Sequence, residues 1–152
     1  EWVMDALGLT LNEQKTHLVD VNRESFDFLG YTFGWEHFRK DGHTYLAAQP
    51  SQTSVQRLKD RIRGWLNGRN PSPWEMMVKH LNQILEGWAN YFSYGTRTLA
   101  YRAIDQHVYQ RAVDVLSKRH KTPKSKSRRW TDDRVFGKMG ITRLRTFQLS
   151  DG

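Results

Sequence analysis

Between Met76 and Phe92 the chain reads Met-Met-Val-Lys-His-Leu-Asn-Gln-Ile-Leu-Glu-Gly-Trp-Ala-Asn-Tyr-Phe, and Met77, Leu81, Ile84, Leu85, Trp88 and Phe92 recur at the spacing of one helix face. Lys79, Asn82, Glu86 and Asn90 fall off that stripe. The spacing predicts an amphipathic helix that buries one side. Its start is written as well: Ser72-Pro73-Trp74-Glu75 offers an N-cap hydroxyl, a proline at the first helical position and a carboxylate three residues on, the makings of a capping box. Gly87 costs such a helix about 1 kcal/mol relative to alanine. It therefore invites close approach beside Trp88, by a neighbouring helix or by a nucleic-acid backbone.

Two more helices follow the same logic. Val55, Leu58, Ile62, Trp65 and Leu66 form one stripe, with Arg57, Lys59, Arg61 and Arg63 outside it, and Asn67-Gly68 and Asn70-Pro71 turn the chain onward. Tyr101, Ile104, Val108, Ala112, Val115 and Leu116 mark a third helix from about Thr98 to Arg119, so the three read as a small bundle. Upstream the pattern is strand-like. His17 to Val21 and the aromatic run Phe26 to Trp35 predict strands, with Gly30 marking a bulge or another backbone's approach. Asp41-Gly42 predicts a hairpin that sets Phe38 opposite Tyr45.

The ends are less regular. Residues 1–7 read as the tail of a helix stopping at Gly8, so the chain is expected to begin inside a longer protein. Thr131-Asp132-Asp133 can cap a last short helix, and Ile141 to Leu149 alternates weakly like a strand. The resulting fold class is α+β: a short antiparallel β segment with a hairpin in 1–48, a three-helix bundle in 49–120, and a basic linker with a C-terminal extension in 121–152.

Composition sharpens this picture. With 152 residues and no cysteine, the chain can bury a core without disulfides, and cysteine-ligated zinc is excluded. No apolar run approaches the roughly 20 residues that span a bilayer, so no membrane partner is expected and an intracellular place, cytoplasmic or organellar, is. Charge is divided unevenly: residues 1–48 hold four basic groups against eight carboxylates, while 49–152 hold 20 against 8, a net of +12 in the second part. That asymmetry predicts a polyanionic partner.

The candidate chemistry is that of binding rather than catalysis. The six histidines are scattered, and Asp132-Asp133 suits a helix N-terminus better than a magnesium pair. On the first helix Arg57 with Arg61, and Lys59 with Arg63, lie four apart, so each pair can follow a phosphate ladder. Ser117 to Trp130 contains Lys118, Arg119, Lys121, Lys124, Lys126, Arg128 and Arg129 and no acid, a block that cannot bury itself. Lys79, Arg97 and the groups around Trp88, Asn90 and Tyr91 complete the candidate nucleic-acid-binding set, which the resemblance below assigns to RNA.

These residues resemble a known family. Residues 7–16, Leu-Gly-Leu-Thr-Leu-Asn-Glu-Gln-Lys-Thr, and 26–33, Phe-Asp-Phe-Leu-Gly-Tyr-Thr-Phe, are similar to the sixth and seventh conserved blocks of group II intron reverse transcriptases. Residues 81–92, Leu-Asn-Gln-Ile-Leu-Glu-Gly-Trp-Ala-Asn-Tyr-Phe, resemble the signature of the family's maturase-specific thumb, domain X. Arg128-Arg129-Trp130 resembles the continuation. The resemblance implies the end of a polymerase palm followed by the thumb, with Phe28, Leu29, Gly30 and Tyr31 holding the primer end.

It further implies intron RNA, the RNA template–DNA primer duplex and the rest of the reverse transcriptase as partners. The family's Tyr-x-Asp-Asp carboxylates are absent from these residues, so no cofactor is expected in this chain. Magnesium ions would belong to the parent RNA-directed DNA polymerase. The expected function is therefore RNA binding that promotes splicing, without catalysis by this chain alone. Two alternatives stay open: the thumb of a retron or CRISPR-associated reverse transcriptase, or a generic basic nucleic-acid-binding module.

Overall fold

The computed structural model describes residues 25–37, 40, 42–123 and 129–147. The predicted helix before Gly8, the strand at 17–21, Phe38, Asp41, Lys124, Lys126 and Arg128 lie outside them. The first described element is a three-stranded antiparallel sheet of β1 (Phe26–Phe28), β2 (Tyr31–His37) and β3 (Thr44–Pro50), in that order. Alternation puts Tyr31, Phe33 and Trp35 on one face, opposite Pro50, Ala48 and Leu46 of β3.

The aromatic run contains a turn where a bulge was one expectation. Leu29 and Gly30 have φ of 52° and 82° between the paired Phe28 and Tyr31, the two-residue hairpin connection that matches strand twist. The alternative expectation for Gly30, another backbone's approach, is met: its carbonyl accepts from the Ser51 N–H at 2.8 Å. The second hairpin joins β2 to β3 in a register other than the one Asp41-Gly42 predicts. Among the described residues the pairing runs to His37 with Thr44, and Tyr45 stands opposite Glu36 rather than Phe38, with its hydroxyl donating to the Glu36 carboxylate at 3.0 Å. That bond favours the register found.

Helix α1 (Gln52–Trp65) starts where Ser51 Oγ accepts from the Ser54 N–H, and buries Leu58 and Ile62. Helix α2 (Trp74–Tyr91) buries Met77, Val78, Leu81, Ile84, Leu85 and Ala89. Its predicted capping box does not form. Pro73 itself stands at the N-cap, with extended ψ of 147° and no side-chain cap. Ser72 is one residue too early, its N–H taken by Asn70 Oδ1 and its carbonyl by Arg119. Helix α3 (Thr98–Arg119) buries the predicted stripe from Tyr101 to Leu116.

The C-terminal segment folds back into the bundle. Trp130, Val135 in a π-helical turn (Asp133–Lys138), Ile141 and Leu144 in a 3-10 turn (Leu144–Thr146) are all at most 2% exposed and join the helical core. The strand expected at 141–149 is thus replaced over its described part by a turn. Its N–H groups go to side chains instead of a neighbouring strand: Thr142 to Asn82 Oδ1 at 2.8 Å, Leu144 to Asp105 Oδ1 at 2.8 Å, and Arg145 to Asp105 Oδ2 at 3.2 Å. At the start of the last turn the expected cap is made by Thr131, whose Oγ1 accepts from the Arg134 N–H at 3.3 Å, while the Asp132 carboxylate pairs with Arg143 at 2.9 Å.

Candidate nucleic-acid interface

A groove runs between α1 and α2. One wall is the α1 stripe Ser54, Arg57, Leu58 and Arg61; the other is the α2 stripe His80, Gln83, Ile84, Gly87, Trp88 and Tyr91, with Phe92 beyond. Two adjoining hollows of about 360 and 400 Å³ share Arg61, Trp88, Tyr91 and Phe92. No carboxylate lines either. Within the groove the cations therefore stand over an apolar, aromatic floor, and the acid that adjoins Arg57, Asp60, lies outside that lining.

The aromatic wall is held by its own packing. Trp88 and Phe92 rings lie 4.6 Å apart, Tyr91 meets Phe92 edge-on at 4.7 Å, and Tyr91 still keeps 58% of its surface exposed. At the other end the His80 ring lies 4.2 Å from that of Trp65, tilted by 54°, and the Trp65 indole N–H donates to the Met77 carbonyl at 3.0 Å.

The Leu29-Gly30 turn closes one end of the groove. The Tyr91 hydroxyl donates to the Leu29 carbonyl, the Tyr31 hydroxyl to the Tyr91 carbonyl, and Ser54 Oγ to the Gly30 carbonyl. A Cβ on Gly30 would stand 2.9 Å from Ser54 Oγ and 3.0 Å from the Phe92 ring, at a φ that side chains rarely adopt. Leu29 takes a left-handed φ and leaves its side chain 56% exposed at the groove mouth, a local strain of order 1–2 kcal/mol. Burial raises the Tyr31 pKa, opposed by the Tyr94 N–H, so its hydroxyl remains a donor at neutral pH.

Of the sixteen predicted RNA-binding residues, the thirteen that are described do not form one surface. Arg57, Arg61, Trp88 and Tyr91 meet in the groove. Lys59 and Arg63 do not line it; Arg63 pairs with Asp60 at 3.5 Å and the Lys59 carbonyl accepts from His107 Nε2 at 3.0 Å. Lys79 and Asn90 are exposed on α2 off the lining. Arg97 donates to the Ser93 carbonyl and lies 5.9 Å over the Tyr101 ring.

In the basic block, Arg119 ties down the α1–α2 loop through the Asn70 and Ser72 carbonyls and Met77 Sδ. Lys118 lies along Gly68, Lys121 takes a φ of 49° just past α3, and Arg129 stacks 5.6 Å over the Trp130 ring. Of the four primer-grip-like residues, Leu29 and Gly30 line the groove, Tyr31 holds them, and Phe28 pairs within the sheet. Helix packing is not what Gly87 serves: nothing lies within 4 Å of a Cβ built there.

Sequence reasoning missed His80 and Gln83, although their spacing to Gly87 and Tyr91 marks a second face of α2. It also missed Asp105, an acid inside an apolar stripe and 2% exposed, which accepts from three donors of the C-terminal segment. Desolvation lowers the His107 pKa, and the charges of Lys59, Arg63 and Arg111 lower it further; the bond to the Lys59 carbonyl acts the other way. Among the described residues no group of His, Asp or Glu could hold a metal ion, and no helix is long and apolar enough to cross a membrane.

A family model described as the maturase-specific domain of group II introns matches residues 55–136, from α1 through the π-helical turn. No curated protein matches the chain.

Proposed function

The chain belongs to the group II intron maturase-specific domain family, and on that premise we propose that it binds intron RNA through the α1–α2 groove and promotes splicing by holding the folded RNA. The observation that carries this reading is the groove lining: Arg57 and Arg61 beside Trp88 and Tyr91, with no acid among the residues that line the groove. Guanidinium groups neutralise phosphate, and aromatic faces accept bases that structured RNA leaves unpaired. A protein that binds only the folded RNA stabilises it by mass action. The remaining basic residues extend the field that gathers RNA to the surface.

The template–primer duplex and the rest of the reverse transcriptase are second partners in this proposal. The strained Leu29-Gly30 turn opens onto the same groove, so a primer end held there would lie against the α1 arginines. Asp105 is committed to backbone N–H groups and Arg145, and Asp132 to Arg143. In this proposal the chain's part is to bind and position.

The test is binding of the chain to a folded group II intron RNA, a scrambled RNA of equal length and a double-stranded DNA across a salt series. Intron RNA should keep an advantage of at least about tenfold, or 1.4 kcal/mol, as salt rises. A common steep decline of all three would sink the reading.

A further inference from the structure

Gly87 is the only residue of α2 without a side chain, and the place its Cβ would occupy opens into the groove with nothing within 4 Å. A glycine in mid-helix that no neighbour packs against weakens the helix and returns nothing to the fold. Around that opening stand Tyr91 and Trp88 on one side, His80 on the other, Ile84 beneath and Arg61 across the gap. The hollow, about 400 Å³, falls within the size range of small-ligand sites and contains no acid.

We propose that this hollow is a subsite for one unpaired RNA nucleotide. Its base lies against Tyr91 and the exposed part of Trp88, its sugar–phosphate backbone passes over Gly87, and a flanking phosphate meets Arg61. The proposal rests on the RNA-binding reading and adds the state of the ligand. A double helix presents phosphates outward and is satisfied by cations alone; an apolar floor of Ile84 and Trp88 gives it nothing. A base released from pairing presents a π-face that such a wall can stack. The missing side chain at position 87 is what lets the backbone come down to that wall.

The experiment compares a fully paired hairpin RNA with the same hairpin carrying one bulged nucleotide, using the full chain and its Gly87→Leu and Gly87→Ala variants, with thermal unfolding of each. The wild type should prefer the bulged hairpin by at least about tenfold, within the range of one base stacked on an aromatic ring. Gly87→Leu should lose that preference, weakening the bulged hairpin more than the paired one, and unfold at the same or a higher temperature, because leucine is the better helix former. Should the leucine variant unfold early, Gly87→Ala carries the test, since its methyl meets open space; it should lose at least about threefold of the preference a stacked base gives. Preference retained in a folded Gly87→Leu variant, or equal binding of both hairpins by the wild type, overturns the subsite and leaves RNA binding standing. A wild type that binds neither hairpin at low salt overturns both.

Discussion

The Tyr31 hydroxyl donates to the Tyr91 carbonyl at 2.7 Å while the Tyr91 hydroxyl donates to the Leu29 carbonyl at 3.0 Å, so a strand and a helix 60 residues apart are fastened twice at one point. The turn at the groove mouth is thereby fixed to α2. Tyr31→Phe should cost about 1 kcal/mol, the usual worth of one such bond. Because both bonds hold one turn, combining it with Tyr91→Phe should give a non-additive loss. Urea unfolding of the two single variants and the double variant checks this; strict additivity would mean that the turn is held elsewhere.

Asp105 holds the C-terminal segment. With the carboxylate removed, the N–H groups of Leu144 and Arg145 lose their acceptor in a place where Leu144 is 1% exposed. Asp105→Ala should cost about 2–4 kcal/mol, as the loss of a buried acceptor network does, and Asp105→Asn, with one acceptor oxygen left, should cost less. Equilibrium denaturation decides it. A neutral alanine variant would show that apolar packing of Trp130, Ile141 and Leu144 holds the segment unaided.

His107 predicts a pH dependence with a definite sign. Its folded pKa is lowered, so the unfolded chain takes up the proton first as pH falls below the ordinary histidine value of about 6.5. The neutral ring's contribution is complete above that value and is lost as pH drops through it toward the folded pKa. Melting temperature should therefore fall between neutral pH and about pH 5.5. His107→Gln, whose amide can still donate to the Lys59 carbonyl, should flatten that part of the profile; an unchanged slope would assign the effect to other groups.

Much of this was legible in the sequence, and the misses share one cause. The three helices and their buried stripes follow from 3.6-residue periodicity, because each helix needs a single apolar face. Arg57 and Arg61 could be paired from their spacing alone. What spacing could not give was which side of α1 would face α2, so Lys59 and Arg63 entered the same list. Asn82, Glu86 and Asp105 read as ordinary polar positions, yet each binds a segment 39 to 60 residues further on. Thr142 and Leu144 looked strand-like for the same reason: no local pattern reveals that a side chain, and not a strand, will take an N–H.

The arginines can be sorted by experiment. Arg57→Gln with Arg61→Gln should make the dependence of log K on log salt shallower by about 1.4–1.8 if each meets one phosphate. Arg119→Gln should leave that slope alone and lower the unfolding temperature, since its guanidinium bonds to the loop carbonyls of Asn70 and Ser72. Filter binding across salt, paired with thermal unfolding, separates the two classes. An Arg119 variant with full stability and a reduced slope would reverse the assignment.

The folded-back C-terminal segment also sets a timetable. Asp105 leaves the ribosome 39 residues before its partner Leu144, which at about 5–20 residues per second is a wait of about 2–8 s. Asn82 waits longer, since Gly140 and Thr142 come 58 and 60 residues after it. Between the emergence of Arg119 and that of Trp130 all three helices exist as nascent chain while Trp130, Val135, Ile141 and Leu144 are still to come, and the surface they will cover faces water. The bundle is thus completed from its far end, and chaperone or RNA meets a partly open domain before it meets the finished one.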